Sequence, residues 1–236
     1  MERERIAAII PAAGSGERMA ASENKPFLLL GDKPLLIHSL QKFQDCSDVD
    51  ELIVVVRAAD LKRAKTLVVE YHLEKVVGVV EGGQRRQDSV YRGLKRLDSR
   101  GVAFVLVHDA VRPFLSAAKV HEIIRVAKKH GAAVLAIQPK DTIKLSNDTS
   151  SVQTTLDRTK LWSAQTPQCF AIDLLMKAYE SAIKDEFVGT DDASLVERLG
   201  VGVRIVEGSY DNIKITTQED LELAELILRR QTPAVN

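Results

Sequence analysis

Near the start of this 236-residue chain, Gly14, Gly16, Arg18 and Lys25 stand close together behind the apolar run Ile6–Ile10, with Pro11, Ala12, Ala13 and Ser15 filling the loop. Glycine lets a backbone curl tightly round an anion, so that its N–H groups point inward at it. Arg18 and Lys25 add whole positive charges beside that loop. The segment suits a polyphosphate whose charge distribution changes, although either cation would serve equally as a surface charge. Two commoner phosphate motifs are excluded. A dinucleotide fingerprint wants a third glycine where Met19 stands and an acidic residue where Arg57 ends the next strand. The P-loop pattern G-x-x-x-x-G-K-[ST] has no match.

Three further segments carry candidate chemistry. In Glu81–Val90, the pair Gly82-Gly83 permits close approach to a flat ring and Ser89 offers a hydroxyl; a tight turn with a helix cap is the alternative. In His108–Pro113, Asp109 at a strand end suits Mg²⁺, which takes few carboxylates plus phosphates, and Arg112 would fork onto phosphate or orient Asp109. A structural Asp109–Arg112 pair is the alternative there. The last segment runs from Thr155 through Asp157, Arg158 and Trp162 to Thr166 and Gln168. Trp162 reads as packing, whereas Arg158 has no core role and would reach an anionic substrate.

These segments need elements to hold them. Ile6–Ile10, Leu52–Val56, Val76–Val80, Ala103–Val107 and Ala132–Ile137 are near-continuous apolar runs, as in strands buried on both faces. Leu35–Phe43, Asp60–Tyr71, Asp88–Leu97 and Ser116–His130 show helical spacing between them, with Asp60, Asp88 and Ser116 as N-caps and Gly131 as a C-cap. The alternation predicts a mostly parallel sheet covered by helices, with ligands beyond the carboxyl ends of the strands. Three of the informative loops follow such strands. After Ile137 the rhythm changes: Thr142–Leu145 and Val152–Leu156 alternate about the polar turn Ser146–Ser151, predicting a β-hairpin. A lone hairpin with an apolar face is marginal in water, so it must lean on its own domain or on a second copy of the chain. Helical spacing resumes at Ile172–Ile183 and Ala193–Leu199, followed by a strand near Val201–Val206, the segment Asp211–Ile215, a helix over Thr217–Arg229 and a loose tail.

Composition narrows the class. With 33 basic and 33 acidic residues the formal net charge is zero, which gives no field favouring nucleic acid or membrane. Cys46 and Cys169 have neither metal-ligand nor disulfide spacing and fit a reducing compartment. No run approaches the ~20 apolar residues of a membrane span, and Ile6–Ile10 is too short for a signal-peptide core, so the expected location is cytoplasmic.

Taken together, the segments resemble the 2-C-methyl-D-erythritol 4-phosphate cytidylyltransferases of the non-mevalonate isoprenoid pathway. The matching motifs are P-A-A-G-x-G-x-R-M…K-P (Pro11–Met19, Lys25-Pro26), G-G-x-x-R-x-x-S-V (Gly82–Val90, with Arg86 as its arginine) and H-D-A-x-R-P (His108–Pro113). D-T-[IM]-K (Asp141–Lys144), T-[LV]-D-R…L-W…Q-T-P-Q (Thr155–Gln168), T-D-D-A-S (Thr190–Ser194) and D-N-I-K-[IV]-T (Asp211–Thr216) complete the set. The resemblance implies a single Rossmann-like nucleotidyltransferase domain over 1–230, with a hairpin dimerisation arm at 138–158 and a flexible tail at 231–236. It also implies transfer of cytidylyl from CTP to methylerythritol phosphate in a homodimer that uses Mg²⁺ or another divalent cation.

Carried over by residue, Arg18, Lys25, Arg158 and Lys214 would be catalytic. Pro11, Ala12, Ala13, Gly14, Ser15, Gly16, Gly82, Gly83 and Ser89 would hold CTP, the last three its cytosine. Asp109 would meet the metal or the substrate. Arg112, Thr142, Arg158, Thr166, Thr190 and Lys214 would serve the sugar phosphate, with Thr142 and Arg158 contributed by a partner subunit. A ribitol-5-phosphate cytidylyltransferase and a silent CTP-sensing module are the rival readings.

Overall fold

The computed structural model describes residues 3–14, 24–97, 101–147 and 150–231. In chain order the elements are β1 (Arg5–Ala12), β2 (Leu29–Leu30), β3 (Lys33–Pro34), α1 (Leu35–Gln44), β4 (Glu51–Val56), α2 (Leu61–Glu70), β5 (Val76–Glu81), α3 (Arg86–Leu97), β6 (Val102–Val107), α4 (Ala117–His130) and β7 (Ala132–Ile137). Then come β8 (Lys144–Ser146), β9 (Val152–Thr155), β10 (Ser163–Ala171), α5 (Ile172–Lys184), α6 (Asp192–Glu197), β11 (Arg204–Glu207) and α7 (Gln218–Gln231).

Seven strands form one sheet in the order β11-β7-β10-β6-β1-β4-β5. The apolar runs become its strands because both faces are covered. Along β1, Ile6, Ala8 and Ile10 pack on the side of α1, α2 and α4, while Ala7 and Ile9 face α3 and α5. From β1 the chain builds outward through β4 to β5 and returns to lay β6 on the other flank of β1. Loops leaving β1 and β6 therefore part company, and a crevice opens beyond their carboxyl ends.

The mostly parallel sheet agrees with the sequence reading, but its antiparallel member was hidden. Strand β10 lies between β6 and β7 and pairs antiparallel with both. Its residues Gln165, Thr166, Pro167 and Gln168 carry no apolar strand pattern, and proline and unpaired polar groups are poor central-strand residues. The register against β7 shifts between Ala164 and Gln168, which accommodates the proline. Each polar side chain has a partner: Gln165 with Ser209, Thr166 with the Asp109 backbone, and Gln168 with Asp191 and the Ala193 N–H.

Smaller shifts have local causes. Ser116 caps α4 and Gly131 ends it at φ 85°, as read. Asp60 stands at the N-cap of α2, but Arg57 and Asn24 take its carboxylate. Helix α3 starts at Arg86, ahead of Asp88, whose carboxylate accepts the Arg85 N–H. The strand expected over Val201–Val206 forms at Arg204–Glu207. The hairpin is β8–β9, shorter than expected, with every strand residue exposed and Thr142 just outside it. Residues 232–236 of the expected tail lie outside the described residues.

Candidate active site

The crevice holds a cleft of about 410 Å³. One wall is the end of β1, from Pro11 to Gly14; opposite it lie Gly83, Ser89 and the first turn of α3. Lys25, Asp109, Lys214 and Thr216 also line it. Gly82 sits where these walls meet: a Cβ there would lie 2.5 Å from the Ala13 Cβ and 2.7 Å from Ser89 Oγ. Any side chain at 82 would drive the two loops apart. Ser89 Oγ in turn accepts the Gly83 N–H at 3.1 Å, which fixes that glycine's backbone.

Two lysines reach the cleft from opposite ends of the chain. Lys25 Nζ donates to the Thr216 carbonyl at 2.6 Å, and Lys214 Nζ lies 2.9 Å from Asp109 Oδ2. The segment 213–216 thus carries one cation and anchors the other. Asp109 meets three cations in all, with Arg86 Nε 3.1 Å from Oδ1 and Arg112 Nε 3.7 Å from Oδ2. Burial alone would push the Asp109 carboxyl up; Arg86, Lys214 and Arg112 overcome that and hold it well below the usual carboxylate range. Arg86 also donates to Asp192 Oδ2 at 2.9 Å, and Tyr179 donates its hydroxyl to the other oxygen of Asp192. Burial disfavours a charged Arg86, yet the Asp192 and Asp109 carboxylates reverse this and strengthen its charge.

Behind Asp109 the polar groups close on one another. Thr166 Oγ1 accepts the Asp109 N–H at 3.0 Å and stands 3.2 Å from His108 Nδ1. The other ring nitrogen, Nε2, lies 3.0 Å from the Arg112 carbonyl, which can only accept, so Nε2 bears the proton and Thr166 donates to Nδ1. Burial pulls the His108 pKa down from 6.5 to about 4. Between those values the unfolded chain binds a proton that the folded chain refuses, so stability declines as pH falls through that window. The full loss from this group is about 3 kcal/mol. His38, also lowered by burial, adds in the same direction. We expect urea unfolding at pH 7 and pH 4.5 to show this decline, and His108→Gln to flatten it; an equal decline in the variant would exclude His108 as its source.

The structure brings Pro11, Ala12, Ala13, Gly14, Lys25, Gly83, Ser89, Asp109 and Lys214 together on one cleft, with Gly82 buttressing its walls. Arg112 and Thr166 are buried behind it; Arg112 Nη1 donates to the Asn212 carbonyl at 2.7 Å. Thr190 is exposed on the loop before α6. Thr142 and Arg158 lie at the hairpin, where Arg158 Nη1 donates to the Lys140 carbonyl at 2.9 Å; neither lines this chain's cleft. Ser15, Gly16 and Arg18 fall outside the described residues. Motif reading left Arg86 without a role and missed its partner Asp192, whose buried carboxylate only the fold reveals.

His108 is sealed and neutral, and what the described residues bring to the cleft is fixed charge. Such charge at the switch point of a parallel sheet suits a nucleotidyltransferase. The family model described as 2-C-methyl-D-erythritol 4-phosphate cytidylyltransferase matches residues 6–230. The cytidylyltransferase of that description from Geobacillus kaustophilus is 46% identical over 221 residues, covering 94% of this chain and 96% of the relative. That of Syntrophus aciditrophicus is 42% identical over 230 residues, with 97% and 98% covered. The crystal structure of 4-diphosphocytidyl-2C-methyl-D-erythritol synthase from Anaerococcus prevotii superposes with a TM-score of 0.85 at 36% identity, covering 96% of this chain and 97% of that one. This chain belongs to the 2-C-methyl-D-erythritol 4-phosphate cytidylyltransferase family.

Proposed function

We infer that the chain transfers a cytidylyl group from CTP to 2-C-methyl-D-erythritol 4-phosphate, releasing pyrophosphate in isoprenoid precursor synthesis. The observation that carries this is the meeting of Lys25 and Lys214 in a cleft bordered by the glycines of two loops. The Gly82–Gly83 loop and Ser89 hold the cytosine, and Pro11–Gly16 wraps the triphosphate. An oxygen of the acceptor phosphate attacks the α-phosphorus in line. A phosphomonoester has its second pKa near ~6, so this nucleophile is ionised at neutral pH and needs no base. What opposes the step is repulsion between two anions. Arg18, Lys25 and Lys214 neutralise it, and the tethers of the two lysines to Thr216 and Asp109 hold them in place before the substrates arrive.

Asp109 is a carboxylate lining the cleft, and no cluster of three or more His, Cys, Asp or Glu suited to a metal exists among the described residues. A single carboxylate plus phosphate oxygens fits Mg²⁺. A carboxylate has about four lone-pair sites, and Arg86, Lys214 and the more distant Arg112 leave Asp109 room for one such ligand. Bound there by Asp109 and the triphosphate, the ion would supply further charge neutralisation.

The hairpin supports a homodimer. Leu145 and Val152 are 44% and 63% exposed on strands that, among the described residues, pair only with each other. A second copy that covers them would bring Thr142 and Arg158 to the partner's cleft. No helix among the described residues is long and apolar enough to cross a membrane, which accords with a cytoplasmic enzyme.

The test is pyrophosphate release with CTP, Mg²⁺ and either methylerythritol phosphate or ribitol 5-phosphate, alongside light scattering. We expect turnover with the first acceptor and a mass twice the 26.1 kDa of the chain. Turnover confined to ribitol phosphate, or CTP binding without pyrophosphate, would overturn the reading; a 26.1 kDa particle would remove the dimer.

A further inference from the structure

Gln87 lies one residue into α3, between Arg86 and Ser89, and does not line the cleft. Its side chain instead grips the loop before α6. Nε2 donates to the Phe187 carbonyl at 3.1 Å, and Oε1 accepts the Gly189 N–H at 3.0 Å. A carboxamide that gives and receives in this way binds peptide backbone as a neighbouring strand would. On its other side the loop is pressed against α6: a Cβ on Gly189 would lie 2.6 Å from both Leu195 Cδ2 and Ser194 Oγ. The neighbouring Arg86 reaches Asp192 at the end of the same loop. Residues 187–192 are thus clamped between α6 and the first turn of α3, the turn that follows Gly82 and Gly83. Thr190 stands in the middle of the clamped stretch.

We propose that Gln87 is a positioning residue for the acceptor: by fixing the 187–189 backbone to the nucleotide-side helix, it places Thr190 for the sugar phosphate. This rests on the reading of Thr190 as an acceptor contact. Gln87 touches no substrate itself. Alanine at 87 removes both hydrogen bonds while keeping the best helix former at that position, so α3 is not weakened. Glutamate still accepts from Gly189 but has no proton to donate to the Phe187 carbonyl.

The test compares wild type, Gln87→Ala and Gln87→Glu by steady-state kinetics with each substrate varied, and by amide hydrogen exchange at Gly189. In Gln87→Ala the KM for methylerythritol phosphate should rise about tenfold, as expected for two lost hydrogen bonds, with the KM for CTP and kcat within about twofold of wild type. Exchange at Gly189 should quicken by about tenfold. Gln87→Glu should share the acceptor defect. A KM for CTP rising in step with that for the acceptor, or an unchanged acceptor KM, would overturn the proposal. Should the wild-type protein make no cytidylyl conjugate, the functional reading fails, and the exchange rate at Gly189 still decides whether Gln87 holds the loop.

Discussion

Asp109→Asn lowers turnover by ~10²–10³ and weakens the fold, the largest combined effect expected of any single substitution here. Asparagine keeps the shape of the side chain but removes the negative charge that Lys214 and Arg86 approach at 2.9 and 3.1 Å. Arg86 keeps its pair with Asp192, but Lys214 and Arg112 lose their carboxylate, and an amide N–H2 must face one of the cations. Arg112 suffers most, since its guanidinium is nearly buried. Breaking a buried ion pair in this way costs about 3–5 kcal/mol. Lys214, freed from its tether, no longer waits at the acceptor phosphate. Urea unfolding measures the first consequence, and pyrophosphate release from the folded fraction measures the second. Wild-type turnover in a folded Asp109→Asn protein would show that this carboxylate is architectural.

Lys25→Ala and Lys214→Ala should each lower kcat by ~10²–10³, about 3–4 kcal/mol of barrier, because each removes one preorganised charge from the phosphate path. Stability should scarcely change. Lys214 is 42% exposed, and its loss leaves Asp109 still paired with Arg86. Lys25 is partly exposed, its ammonium held at the cleft by the Thr216 carbonyl. Stopped-flow or coupled pyrophosphate assays, with circular dichroism to confirm folding, separate the two effects. A variant retaining full turnover would remove its lysine from the chemistry. A drop of the same size that followed a lower melting temperature would make the role structural.

The parallel framework was legible because Ile6–Ile10, Leu52–Val56 and Ala132–Ile137 are apolar on both faces, a pattern that few other structures produce. Strand β10 was not, because what makes Gln165, Thr166 and Gln168 tolerable inside a sheet is a set of partners far away in sequence. The same distinction divides the site. Gly82, Gly83 and Ser89 could be read as one unit since they touch locally. The pairing of Arg86 with Asp192 bridges 106 positions and leaves no local trace. Gln87 was invisible for a related reason: its ligands are backbone atoms, which every residue possesses.

The two lysines are moored differently, and that bears on how the enzyme tolerates change. Lys214 depends on a carboxylate, so its placement is hostage to the identity of one other amino acid, Asp109. Lys25 is moored to the peptide carbonyl of Thr216, an atom that no substitution of the Thr216 side chain can delete. What keeps that carbonyl in place is Asp220, which accepts from the Thr216 and Thr217 N–H groups and the Thr216 hydroxyl. Genetic drift at 216 should therefore be forgiven far more readily than drift at 220, although 220 lies farther along the chain from either lysine.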